Sequence, residues 1–381
     1  MLSYQEFKDT IRTHILEYMP SEQDSSVIIN EVKKNNGITM DGLMVRKPEE
    51  TISPTVYLER YYDDYKKGMS VENCMHKIAV TIDSAKEQAR IFDVEHLLNY
   101  EDMKSKIYIS VVNFHNNQEL LSQVPYEHKG DLAIVVRALA SQNPNENASF
   151  LIKSDMLEKY GISREQLFAD AYSNSPVLMP SSFTSMRDVL QEMIHENLED
   201  LMPEDIQMYV LTNEQKIRGA STMFYPGVMD MIHDKLGDFT IIPSSIHEVI
   251  IVPADTANSR VMEAMIGEVN TTCVDAQEIL ADKPLTYDSV TKEILNLEEY
   301  EKYVDGIKKD IVKSGFKATD RLVMDMRKIN YFTGEDQGIS GLHKLSKELE
   351  KIEDQDLLEA VKDATAECRV QELARLNQPL P

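Results

Sequence analysis

The sequence predicts an α+β fold: antiparallel-sheet domains with flanking helices and an all-helical C-terminal appendage. Three observations carry this. Lys33-Lys34-Asn35-Asn36-Gly37 lies between two strand-forming runs, and Asn-Gly tolerates the positive φ of a tight hairpin. Met208–Thr212 and Ile217–Tyr225 are two apolar runs so close that they pair most simply as a hairpin. From about Thr291 strand signals vanish and charged helical segments take over.

In chain order, Tyr4–Tyr18 carries Phe7, Ile11, Ile15 and Tyr18 along one helical face. Val27–Val32 and Ile38–Val45 are the hairpin strands, and Thr55–Leu58 is a third. Tyr57, Tyr61, Tyr62 and Tyr65 crowd a short helical segment, and Ser70 caps a helix through Ala89. This helix, three-strand, helix order fills a first domain, residues 1–92. It has the outline of a double-stranded RNA-binding module, but such modules carry basic surfaces. Glu59, Asp63, Asp64 and Glu72 argue against one.

A middle α+β region, 93–205, follows. Asp93–Lys104 reads as helix, Ile107–Val112 as strand, and Asp131–Arg137 as a buried strand. Ser149–Lys153 is another strand. Ser154 caps a helix that Gly161 ends, and Ser163-Arg164-Glu165-Gln166 is a capping box for the next, which Pro176–Pro180 breaks. Met186–Leu198 is a helix.

Residues 206–290 form the most densely patterned part, read as strand-strand-helix-strand-strand. Pro226-Gly227 ends the second strand and Gly237 stops the helix. Asp238–Ile242 and Val249–Val252 are the last two strands. Asn258–Val269 reads as helix, Asp275–Leu280 as a short helix and Pro284–Tyr287 as a brief strand. Residues 291–381 are the helical appendage.

Between Ile242 and Val249 lies Pro243-Ser244-Ser245-Ile246-His247-Glu248. Hydroxyls, an imidazole and a carboxylate fall within five positions, flanked by apolar strands. A rigid sheet presenting such a loop makes Ser245, His247 and Glu248 the candidate catalytic groups. Ser244, with Asn213 and Tyr225 at the ends of neighbouring strands, are the candidate binding groups. The structural alternative is a bulged turn whose serines bond local backbone.

Composition narrows the rest. There are 381 residues, 65 acidic against 40 basic, for a formal net charge of −25. Phosphate backbones are repelled by such a chain, so no direct nucleic-acid contact is expected, and the charge favours a basic protein partner. Cys74, Cys273 and Cys368 are too few and too scattered for a disulfide framework or a zinc pattern, which points to a reducing, cytoplasmic setting. No apolar window reaches membrane-spanning length. No Gly-rich phosphate loop, His-Glu-x-x-His or Gly-x-Ser-x-Gly occurs. Asp230, His233 and Asp234 share a helical face that a solvated surface explains, so neither metal nor cofactor is predicted.

Val210-Leu211-Thr212-Asn213, Gly219-Ala220, Tyr225-Pro226-Gly227 and the 243–248 hexapeptide resemble the signature of an uncharacterised family of cytoplasmic proteins from gut Gram-positive bacteria. Asn35-Asn36-Gly37, Ile52-Ser53-Pro54-Thr55 and Asp131-Leu132-Ala133 extend the resemblance over Met1–Tyr287. Lys153–Asn174 is also similar to a bacilli housekeeping family of unknown function. Neither resemblance supplies catalytic residues. The expected function is a non-enzymatic interaction protein of a bacterial accessory or mobile-element system. The alternatives are a hydrolase or ligand-binding enzyme using the hexapeptide, and an acidic mimic of nucleic acid.

Overall fold

The computed structural model describes residues 1–302 apart from 49, 51–52, 90–96, 98, 140–148, 194–206, 255, 257–258 and 290. The appendage helices expected beyond 302 lie outside the described residues. Within them the fold is α+β, with three antiparallel sheets.

The first sheet takes the order β1 (Ser26–Lys33), β2 (Thr39–Arg46), β3 (Val56–Tyr57). Asn36 at φ 59° and Gly37 at φ 69° make the β1–β2 turn, the left-handed geometry for which Asn-Gly is suited. Helix α1 (Tyr4–His14) starts with a Ser3/Glu6 capping box. Its Phe7 and Ile11 pack on Leu43 and Val45 and on Ile78 and Ile82 of α3 (Val71–Ala89). Tyr62 and Tyr65 of α2 (Glu59–Lys66) stack around Phe7, so the tyrosine cluster is a wall of this core.

In the second sheet β6 (Leu132–Leu139) is central. Strand β4 (Ile107–Asn113) lies on one side; β5 (Tyr126–Lys129) and β7 (Ser149–Leu151) share the other. Helix α4 (Ser154–Tyr160) stops at left-handed Gly161, and Ser163 caps α5 (Arg164–Leu178). Leu167, Phe168 and Ala171 of α5 close over Ile107, Ile109, Ile134 and Val136. The helix runs two residues past Pro176 before Met179 N–H closes it on the Ser175 carbonyl at 2.9 Å. The alternating pattern gave no warning of β5, whose Tyr-Glu-His-Lys lacks an apolar face.

The third sheet has six strands in the order β13-β12-β10-β11-β9-β8. These are β8 (Ser181–Ser185), β9 (Tyr209–Asn213), β10 (Phe239–Ile242), β11 (Val249–Pro253), β12 (Leu285–Asp288) and β13 (Glu293–Asn296). Helices α6 (Met186–Met193), α7 (Val228–Leu236) and α8 (Ser259–Thr272) flank it. Its core of Leu211, Phe239, Ile241, Val249 and Ile251 joins Val111 and Leu132 of the second sheet.

Three sequence expectations are corrected here. Ile217–Tyr225 is not a strand: Gly219–Phe224 is a 3-10 strap. Both edges of β9 are already taken, by β8 and β11. Ser221 and Thr222 instead bond back to the carbonyls of Arg218 and Gly219 at 3.2 and 2.7 Å. Asp275–Leu280 is a turn, not a helix. Strand signals continue past Thr291, since Glu293–Asn296 pairs with β12 and completes the sheet.

The first sheet is joined to the rest through its hairpin tip. Asn36 Nδ2 donates to the carbonyls of Ala276 and Ile279 at 2.9 and 2.7 Å. Asn35 Nδ2 reaches Gln277 O at 2.7 Å, and Asn117 Nδ2 reaches Asn36 Oδ1 at 3.0 Å.

Candidate functional site

The hexapeptide connects β10 to β11, which pair in register from Phe239↔Pro253 to Ile242↔Ile250. Ser245 N–H donates to Glu248 O at 3.1 Å, and His247 N–H to Ser245 Oγ at 3.0 Å, so Ser245 closes the turn. Ser244 Oγ reaches Glu248 Oε1 at 3.5 Å. Ile246 is buried in the core between the sheets. Its N–H donates to Glu278 O at 2.8 Å, and its carbonyl accepts from Ala220 N–H at 3.2 Å.

His247 links three segments. Its carbonyl accepts from Thr212 Oγ1 at 2.7 Å, and its Nδ1 accepts from Arg218 N–H at 3.1 Å. That bond makes Nδ1 the acceptor and leaves the proton of the neutral ring on Nε2. Nε2 faces Glu278 Oε1 at 3.4 Å. Gly219 is wedged beneath: a Cβ there would meet Thr212 Oγ1, Asn213 N at 2.5 Å and His247 O at 2.7 Å. Only glycine lets the strap approach this closely.

The other candidates lie elsewhere. Asn213 is buried and closes its own turn, accepting from Ile217 N–H at 3.2 Å and donating to Ile217 O at 2.8 Å. Thr212, not Asn213, is the β9 side chain that meets the hexapeptide. Tyr225 ends the strap, 3% exposed, with its hydroxyl facing Ser221 and Ser175 in the interior rather than the hexapeptide.

Two arginines near the strap belong to no motif in the sequence. Arg137 of β6 lies across from Tyr108 of β4 and donates through Nε to Ser149 Oγ at 3.1 Å and through Nη2 to Ser149 O at 2.9 Å. Arg218 opens the strap in the left-handed conformation, φ 53°. Burial, and then the like charge of Arg137, draw its guanidinium down to about 10. Burial also lowers Arg137. The one signal in sequence was an arginine beside Gly219-Ala220, and nothing there says that β6 supplies the second.

Among the described residues no group of three or more His, Cys, Asp or Glu side chains is arranged to hold a metal. Asp230 accepts from Tyr287 Oη at 2.7 Å and pairs with Lys292, while His233 meets Asp238 at 3.3 Å. No helix among them is long and apolar enough to cross a membrane.

Residues 4–289 match the model of a family described as Family of unknown function (DUF5688). The chain belongs to this family. The hexapeptide, the strap, the hairpin tip and both arginines all fall inside the DUF5688 match, which ends before β13. No curated protein and no solved structure matches the chain.

Proposed function

We propose that this DUF5688 protein is a non-enzymatic interaction protein of the cytoplasm, engaging a basic protein partner. Its setting is a bacterial accessory or mobile-element system of gut Gram-positive bacteria. The observation that supports this reading is how His247 is employed. The imidazole that would serve as a general base spends Nδ1 on a backbone N–H of the strap, and Ser245 Oγ accepts from the His247 amide, which fixes it in the turn. A base must be free to reach the proton it abstracts. The hexapeptide therefore serves as a joint between β9, the strap and the Glu278 turn. A net charge of −25 supplies long-range attraction for a basic partner.

Affinity capture of the tagged full-length chain from a native host tests this. The expected result is one stoichiometric partner whose yield falls as salt rises and which Ser245→Ala leaves bound. A nucleic-acid-binding partner displaced by DNA would turn the reading toward mimicry. A protein that comes down alone and converts a metabolite, with loss of turnover in Ser245→Ala, overturns it in favour of the hydrolase alternative.

A further inference from the structure

A cleft of about 220 Å³ opens where the first hairpin meets the second sheet. Its floor is apolar. Leu120 of the one-turn helix Gln118–Leu121 and Leu151 of β7 lie partly buried against the core cluster that holds Val124, and all three line the cleft. Its rim is cationic, with Lys33 at the end of β1, Lys34 in the turn and Lys153 just past β7. Among the described residues Glu119 is the one acidic side chain of the lining. In a chain with 65 acidic against 40 basic residues, this is a local reversal of sign.

The three lysines are held differently. Lys33 Nζ donates to both carboxylate oxygens of Glu119, an ion pair that spans the hairpin and the second sheet. Both of its side chains are exposed, so another anion can compete for Lys33 at little cost. Lys34 Nζ lies 3.6 Å from the centroid of the Tyr57 ring, and a ring face takes up no acceptor oxygen. Lys153 is exposed and forms no ion pair among the described residues. The walls are fixed on each other without a ligand. Asn117 of the lining donates through Nδ2 to Asn36 Oδ1 at 3.0 Å, and Asn36 N–H donates to Asn117 Oδ1 at 2.9 Å. A ligand therefore meets a cleft that needs no ordering.

We propose that this cleft binds a small amphiphilic anion, with its apolar body on Leu120, Val124 and Leu151 and its carboxylate or phosphate head at Lys34 and Lys153. Burying the body removes apolar surface of both partners from water, and the ammonium groups reach the head on flexible stems. The volume limits the occupant to a short alkyl chain or a single ring. The site goes beyond the interaction reading and does not depend on it, because no partner protein enters the argument.

The test titrates the full chain by calorimetry at constant ionic strength. Sodium hexanoate and hexyl phosphate are the two probes, in separate arms. Hexanol lacks the charged head and sodium acetate lacks the body, so these two are the controls. The expected result is saturable binding of at least one probe, with both controls about fivefold weaker or more. The stronger arm identifies the head as carboxylate or phosphate. Lys153→Gln and Lys34→Gln should each weaken binding about fivefold. Lys34→Gln keeps the backbone N–H that donates to Ile38 O. Glu119→Gln should change binding in the opposite sense, tightening it about threefold, because the anion that competes for Lys33 is gone. Lys153 and Glu119 are exposed, so these two variants carry the test where Lys34→Gln fails to fold. Three results would each overturn the site. The first is no saturable heat with either probe. The second is hexanol binding as tightly as the anions. The third is Lys153→Gln without effect together with Glu119→Gln that binds no more tightly than the parent.

Discussion

Replacing Gly219 by alanine tests the packing of strap, strand and hexapeptide in one step. Gly219 lies outside the left-handed region, so an alanine backbone is tolerated there and the cost is one of space. The new methyl would sit 2.5 Å from Asn213 N and 2.7 Å from His247 O, both main-chain atoms that cannot swing aside. It would also collide with Thr212 Oγ1, the donor to His247 O. Overpacking of this kind costs about 1–3 kcal/mol, and leaving the Thr212–His247 pair unmade adds about 1–3 kcal/mol. The sum is roughly 2–6 kcal/mol, or about 10 °C in the midpoint of a unit this size. Gly267 is the internal control: it lies in α8, where a methyl group would meet nothing within 4 Å. Alanine there should stabilise by about 0.5–1 kcal/mol through helix propensity. Urea unfolding of the two full-length variants, followed by far-ultraviolet circular dichroism, gives the comparison. A Gly219→Ala midpoint equal to that of the parent would refute the claim that glycine is required by close approach.

Other contacts make three further predictions. His247→Ala removes the acceptor of Arg218 N–H and should lower stability by about 1–3 kcal/mol, measured by denaturant midpoint; an unchanged midpoint would restore the loop as a candidate for chemistry. Lys86→Met leaves Glu22 and Glu50 facing each other where Lys86 Nζ now bonds them at 2.7 and 3.0 Å. Breaking a buried pair of this kind should cost about 3–5 kcal/mol, and a neutral result would show that the cluster is well solvated. Burial pushes both carboxyls up, but Lys86, with Ser25 at Glu22 and Lys47 N–H at Glu50, holds them below the usual carboxylate range. Their contribution is therefore complete above the unfolded carboxylate value and lost as pH falls through the folded one, so acid unfolding should flatten in Lys86→Met. Asn36→Gly keeps the positive φ of the turn but deletes the bonds to Ala276 and Ile279. Proteolysis should then release residues 1–89 more readily, and an unaltered digestion pattern would show that the tip bonds do not hold the sheets together.

What the sequence determined by itself was local. Asn36-Gly37 encodes a turn because Asn and Gly tolerate positive φ, and Ser163 and Gly161 mark helix ends through capping chemistry that needs no distant partner. The apolar runs at Asp131–Arg137 and Val249–Val252 announced buried strands because burial on both faces leaves a nearly continuous pattern. Tertiary structure decided what local pattern could not. Ile217–Tyr225 is strand-like in composition, yet β8 and β11 occupy both edges of β9, and Gly219 has room only as a close-packed strap. Pairing across a sheet depends on which edges are vacant, which no window of sequence records. Thr291 looks like a boundary because Glu293–Asn296 is only four residues long and has just Ile294 and Leu295 as apolar strand formers, but the open edge of β12 accepts it. The polar hexapeptide was legible as an unusual connection, while its use as a joint follows from Thr212, Arg218 and Glu278 arriving from three separate segments.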